Sequence, residues 1–183
     1  MEIKKSNIKI LSEGRFIRLL VKDGWEYIQR TNCTGIAVMV AVTEAKEILL
    51  VEQYRPPVDC NVIELPAGLI NDGAGAGQES GEEAAGRELL EETGYAASRW
   101  IRIFSGPGGP GASSDILHFY LSLDVKKIAA GGGDATEDIT VHAVPLQEVD
   151  DWLASKIREG IPCDPKIYAG LYLLDKYNKK SHL

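Results

Sequence analysis

The stretch from Gly73 to Tyr95 reads GAGAGQESGEEAAGRELLEETGY, and its acids fall at fixed offsets. Glu79 follows Gly73 by six positions, Arg87 and Glu88 come next, and Glu91, Glu92 and Gly94 close the run. The spacing predicts a helix over Glu82 to Thr93. Ser80 and Glu83 make an S-x-x-E capping box, in which each side chain satisfies a free backbone donor of the first turn. Ala84, Ala85, Leu89 and Leu90 supply helix formers and an apolar stripe, and Gly94 stands where a left-handed cap residue belongs. On such a helix Glu88, Glu91 and Glu92 occupy i, i+3 and i+4 and share one face. Each like-charge i, i+4 pair costs roughly 0.2–0.5 kcal/mol. A solvated charged face is the usual fate of a Glu-rich helix. Here the flanking glycine and the distant Glu79 point instead to a divalent-metal site, with hard oxygen ligands suited to magnesium or manganese. Arg87, four residues before Glu91, is placed to orient that carboxylate from the side.

Written as Gly-x5-Glu-x7-Arg-Glu-Leu-x-Glu-Glu-x-Gly-Tyr, the stretch resembles the Nudix box at every defining polar or glycine position. Tyr95 stands where the motif usually has an aliphatic residue, and tyrosine still fills a buried strand start. The resemblance implies the Nudix fold, an α/β/α sandwich with a mixed β-sheet, preceded here by an N-terminal antiparallel β region. Val51-Glu-Gln-Tyr-Arg-Pro-Pro and Val62-Ile-Glu-Leu-Pro-Ala-Gly-Leu-Ile look like the ADP-ribose pyrophosphatase branch. Pro110, fifteen positions past the box, is a further marker of that branch. The segment from Trp25 to Thr31 is similar to the one by which such enzymes stack an adenine. Gly131-Gly-Gly followed by Thr136-Glu-Asp-Ile is similar to the related GDP-mannose hydrolases.

The remaining sequence agrees with one compact domain. The chain has 183 residues, 44% hydrophobic and 26% charged, values ordinary for a folded soluble protein. Its net charge is -7, and no basic cluster suggests polymeric nucleic acid as a partner. The first nine residues lack the apolar core of a signal peptide, and no apolar run reaches membrane-spanning length. Cys33, Cys60 and Cys163 are few, odd in number and widely spaced, which suits reduced thiols in the cytoplasm.

Strands are expected at Lys9 to Leu11, Phe16 to Lys22 and Trp25 to Arg30, with Asp23-Gly24 as a hairpin turn. Gly35 to Val42 is a continuous apolar run that suits a strand buried on both faces. Glu47 to Tyr54, Val62 to Leu65, Ile116 to Leu123 and Ile139 to Val144 follow as strands. Pro66-Ala67-Gly68 is read as a bend, and Gly106 to Gly111 as irregular. Helices are expected from Leu146 to Arg158 and from Asp164-Pro165 onward, an N-cap followed by proline. Ala129 to Ala135 reads as a loop. No linker divides the chain, so residues 1–183 form one domain. Within it, residues 1–34 make the N-terminal β region and 35–183 the core.

Candidate site residues follow. Glu88, Glu91 and Glu92 are expected metal ligands, with the Ala67 carbonyl exposed after Pro66; Glu91 and Glu92 thereby serve catalysis directly. Glu79 either reaches a metal through water or serves only the loop. In the ADP-ribose branch a carboxylate on a loop after the box orients the attacking water, and the resemblance assigns this to Glu137, with Asp138 beside it. Arg30 and Arg55 suit phosphate oxygens, because the guanidinium fork matches them bidentately; for Arg30 a surface ion pair is the competing role. Trp25 offers a stacking face, or else packs as a core or dimer-contact residue. Pro110 is carried over as a substrate-side residue. Trp100 and Trp152 read as core residues, His118 and His142 as strand residues, and His182 as tail. The expected cofactor is Mg2+, with Mn2+ possible in its place. The expected reaction is hydrolysis of the pyrophosphate bond of a nucleoside diphosphate sugar, ADP-ribose foremost, with GDP-mannose or another nucleoside diphosphate derivative as substrate, or a non-hydrolytic nucleotide-binding regulator, as alternatives. The resemblance also implies a homodimer whose N-terminal strands cross over.

Overall fold

The computed structural model describes residues 7–71, 79–133 and 138–181. Gly73, Glu137 and His182 lie outside the described residues.

The first three strands, β1 (Ile8–Glu13), β2 (Ile17–Lys22) and β3 (Trp25–Arg30), form an antiparallel sheet of their own. The hairpin between β2 and β3 turns at Asp23 (φ 51°) and Gly24 (φ 83°). Two consecutive left-handed residues are what a tight primed turn demands, and Asp-Gly supplies them at least strain.

The second sheet is mixed. It contains β4 (Gly35–Thr43), β5 (Glu47–Arg55), β6 (Cys60–Glu64), β7 (Ala67–Ile70), β8 (Tyr95–Ala96), β9 (Ile101–Pro107), β10 (Ile116–Lys127) and β11 (Ile139–Pro145). Its main order is β11-β5-β4-β10-β8, and β10 runs parallel to β4. Three helices complete the fold: α1 (Gly81–Thr93), α2 (Val149–Arg158) and α3 (Lys166–Ser181).

Alternation along β4 builds the layers. Val38, Val40 and Val42 face a core shared with Val149 and Leu153 of α2 and with Ile167 and Leu174 of α3. Ala37, Met39 and Ala41 face the opposite core, with Ala84, Ala85 and Leu89 of α1. The strand is therefore buried on both faces, as its unbroken apolar run predicts. The α/β/α sandwich follows from that two-sided burial.

Several boundaries differ from expectation for physical reasons. Ala67 to Ile70 is a strand and not only a bend: Ala67 pairs with Val38 and Ile70 with Gly35 across β4. Gly106 and Pro107 are not irregular; they end β9, which pairs along β10. The β7 pairing joins segments distant in sequence, whereas Gly106 and Pro107 are held by the very next strand, across residues 108–115. Leu146 does not open α2, because it lies in the turn that follows β11 and donates its backbone N–H to Lys46 O at 2.9 Å. Asp164 does cap α3, accepting the Lys166 N–H at 2.7 Å. His118 and His142 lie on β10 and β11 as expected.

Candidate active-site cleft

Helix α1 is fixed at both ends by local chemistry. Ser80 accepts the Glu83 N–H at 3.2 Å, and Glu83 accepts the Ser80 N–H at 2.7 Å. Gly94 (φ 74°) caps the other end, its N–H bonded to Leu90 O. Beyond it, three successive left-handed glycines, Gly131, Gly132 and Gly133 (φ 74°, 110° and 83°), fold back over that end. Gly132 donates to Glu92 O at 2.8 Å and Gly133 to Glu91 O at 3.1 Å. A side chain at Gly131 would sit 2.3 Å from the Thr93 carbonyl carbon. Carbonyls that a helix end leaves unpaired are thus satisfied by a segment far along the chain. Ile139 N–H returns to Gly132 O at 3.3 Å, which ties the start of β11 to this glycine segment.

The expected acids line one cleft of about 620 Å3, together with Ala67, Arg30 and Arg55. Glu92 is 4% exposed and accepts the Ala67 N–H at 3.2 Å. Glu88 lies against Gly68, where an added Cβ would stand 1.9 Å from its carboxyl carbon. Only glycine at 68 leaves room for that carboxylate. Glu91 is the exposed member of the set.

Arg87 joins these acids to the neighbouring strand. Its Nη1 reaches Glu88 at 2.9 Å and Glu91 at 3.2 Å, and its Nη2 donates to Leu69 O at 3.1 Å. Its Nε bonds Glu79 at 2.9 Å, and the Asn71 N–H donates to Glu79 at 3.3 Å. The arginine's hydrogen bond holds the Glu79 carboxyl below the usual carboxylate range, against the opposing effect of burial. The same bond pushes the Arg87 guanidinium up. Glu79 is thus bonded both to Arg87 and to the backbone of Asn71.

The donor chemistry fits a divalent cation: carboxylate oxygens and a backbone carbonyl are hard ligands. As the side chains stand, no three His, Cys, Asp or Glu among the described residues are grouped to share one ion. Glu88 and Glu91 lean on Arg87, and Glu92 on the Ala67 amide.

Cations gather elsewhere along the cleft. Arg55 is gripped by the buried Glu64, with Nη2 at 2.6 Å and Nε at 2.7 Å. Arg30 faces Asp115 more loosely, Nε to Oδ2 at 3.5 Å, the ion pair that competes with a phosphate role. Lys166, at the start of α3 and bonded to Asp164, also lines the cleft. The sequence reading missed Glu64, Gly68 and Lys166 as site residues. Strand alternation carried a signal for Glu64. Gln53 pairs with Val62 and Val51 with Glu64, so Gln53, Arg55 and Glu64 share one face of the β5–β6 hairpin.

Trp25 and Pro110 are not in the cleft lining. They meet elsewhere: Trp25, 64% exposed, donates its indole N–H to Gly111 O at 3.1 Å, one residue beyond Pro110. Asp138 is exposed and lies outside the lining as well.

The family described as NUDIX domain matches residues 34–163, which contain the acid helix and most of the cleft. The chain belongs to the Nudix hydrolase family. An ADP-ribose pyrophosphatase of Bacillus subtilis is 36% identical over 62% of this Nudix chain and 60% of its own length. A GDP-mannose pyrophosphatase of Cronobacter sakazakii is 30% identical, over 86% of this chain and 87% of the relative. A methanol dehydrogenase activator of Bacillus methanolicus is 32% identical over 67% of this chain and 64% of its own length. Two of these matches thus span less than two thirds of the relative. A crystal structure of an ADP compounds hydrolase superposes with a TM-score of 0.72 over 99% of this chain and 98% of the other. At 20% identity that likeness shows a common fold. Among the described residues no helix is long and apolar enough to cross a membrane.

Proposed function

We propose that this Nudix chain hydrolyses the pyrophosphate bond of a nucleoside diphosphate sugar, converting ADP-ribose and water to AMP and ribose 5-phosphate. One observation carries the reading: Glu88, Glu91 and Glu92 of α1 line the same cleft as Arg30 and Arg55, whose guanidinium groups suit phosphate oxygens. The relative named for ADP-ribose supports the choice of substrate.

A divalent cation, Mg2+ or Mn2+, held by Glu88, Glu91, Glu92 and the Ala67 carbonyl, would neutralise diphosphate charge and lower the pKa of an attacking water. Turning Glu88 and Glu91 away from Arg87 brings all three carboxylates to one face, since they stand at i, i+3 and i+4. Arg55 and Arg30 hold the non-reacting phosphate oxygens and align the bridge for in-line attack. Glu137, or Asp138 beside it, orients the water and accepts its proton. The Gly131–Gly133 segment supports this role, because it fastens the approach to that loop against the backbone of Glu91 and Glu92.

The chain acts as one domain and as a homodimer built on its N-terminal sheet, in the cytoplasm. The exposed side chains of Ile8, Ile10, Leu11, Phe16 and Ile17 on and beside β1 and β2 support the dimer. In such a pair the open face of Trp25, with Pro110 beside it, is available to stack a purine at a neighbouring cleft. Three cysteines, odd in number and widely spaced, support a reducing compartment. GDP-mannose is the second substrate reading, favoured by the relative that matches most of this chain.

Values of kcat/KM across ADP-ribose, GDP-mannose, NADH, dinucleoside polyphosphates and nucleoside triphosphates test the assignment. ADP-ribose is expected to rank first. A higher value for GDP-mannose transfers the assignment to it, and no turnover of either favours a binding-only regulator.

A further inference from the structure

Glu64 is a puzzle in a cleft that must admit an anion. Its side chain is 10% exposed, and it lines the same cavity as Glu88, Glu91 and Glu92. A fourth carboxylate there repels a diphosphate, and a buried charge is tolerated only when it is paired. The pairing is close and directional. One oxygen, Oε2, receives Arg55 Nε at 2.7 Å, Arg55 Nη2 at 2.6 Å and Gln53 Nε2 at 3.1 Å. Gln53, Arg55 and Glu64 all stand on one face of the β5–β6 hairpin, so the strand register itself brings them together. Pro56 and Pro57 follow Arg55 in a short 3-10 turn and restrict the backbone beyond it.

The grip occupies one edge of the guanidinium, Nε with Nη2. Among the described residues no acceptor is bonded to Nη1, and Arg55 itself lines the cleft. A planar fork anchored along one edge presents its other edge in a fixed direction. Arg30 gives the contrast, since its Nε is buried without a hydrogen-bond partner and Asp115 stands 3.5 Å away. Of the two arginines, Arg55 is the one already held in place.

We propose that Glu64 is a positioning residue: it fixes the Arg55 guanidinium so that its remaining edge meets the phosphate oxygens of a diphosphate ligand. The inference rests on reading the cleft as a diphosphate site. It makes a prediction whose sign is opposite to simple electrostatics. A carboxylate acting only as a negative charge would weaken anion binding, and its removal would lower KM. A positioning carboxylate does the reverse, because an arginine free to rotate loses its preorganised geometry.

The test is a mutant cycle with steady-state kinetics on ADP-ribose. Glu64→Gln keeps the shape without the charge, and Glu64→Asp keeps the charge but draws Arg55 back by one methylene. Each is expected to raise KM by about tenfold with kcat little changed, the low end of what supporting partners contribute. In an Arg55→Ala background both substitutions should leave KM unchanged, since no guanidinium remains to be positioned. A lower or unaltered KM for Glu64→Gln overturns the proposal, as does a Glu64 effect that persists undiminished without Arg55. Calorimetric titration of the same variants with ADP separates this inference from the hydrolytic reading. If the wild type turns over no nucleotide sugar, the function fails. Glu64 is then decided by whether its ADP affinity falls in the Arg55 background-dependent way; ADP binding indifferent to Arg55 overturns it.

Discussion

Helix α1 and the N-terminal sheet are built on opposite principles. The helix buries Ala84, Ala85, Leu89, Glu92 and Thr93 and has bonded partners at each end. The first strand of the sheet, Ile8–Glu13, is exposed at all six positions, and the sheet also leaves Ile17 and Trp25 open. One region is finished within the chain. The other presents apolar surface that its own core does not cover, the pattern of a surface awaiting another surface. In the proposed enzyme the first does the chemistry and the second assembles the site.

The sharpest way to break this contrast is at the acids. Glu92→Gln and Glu91→Gln should each lower kcat roughly 100- to 1,000-fold, the range for removing one preorganised electrostatic group. Thermal melting should show the fold intact, because fewer like charges on one helix face reduce repulsion. Near-normal rates at low magnesium would remove these residues from the metal site.

The next effect concerns how the helix end is held. Gly131→Ala should destabilise the protein by about 1–3 kcal/mol, since a side chain there meets Thr93 and φ is 74°. A melting temperature equal to wild type would mean that the glycine segment is not fastened to α1. At the other end, Ser80→Ala removes half the capping box and should cost about 1 kcal/mol in denaturant unfolding.

A smaller effect is set by pH. Glu79 has a folded-state pKa below its unfolded value, so its contribution is complete above the unfolded value near 4.5 and is lost as pH falls through the lower folded one. Wild type should therefore lose stability relative to Glu79→Gln on acidification through that window, followed by melting temperature against pH. Parallel curves would leave the Arg87 bond without energetic weight.

The smallest stability effect is expected in the sheet. Trp25→Ala should leave the melting temperature almost unchanged, because the ring is exposed, yet raise KM for adenine substrates more than it lowers kcat. An unaltered KM would make Trp25 a structural residue alone.

What could be read from sequence divides along the same line. The capping box, Gly94, the two-sided strand β4 and the Asp23-Gly24 turn were legible because their causes lie within a few residues. Strands β7 and β9 were not: Ala67 takes its partner from β4, distant in sequence, and β9 is ordered by pairing with β10 despite the glycine and proline at its end. The acid ligands were legible as a spacing. Glu64 and Lys166 were not recognised, because each enters the cleft through tertiary placement: a hairpin register in one case, the start of α3 in the other. Glu137 was assigned by resemblance and lies outside the described residues.

In the proposed enzyme the acid face of α1 drives cleavage of a pyrophosphate linkage. Incubating the purified protein with ADP-ribose and magnesium, and resolving products by phosphorus NMR, addresses it most directly. AMP and ribose 5-phosphate are expected in equal amounts, suppressed by a chelator and by Glu92→Gln. Intact ADP-ribose under varied metals, or undiminished cleavage by Glu92→Gln, would contradict it.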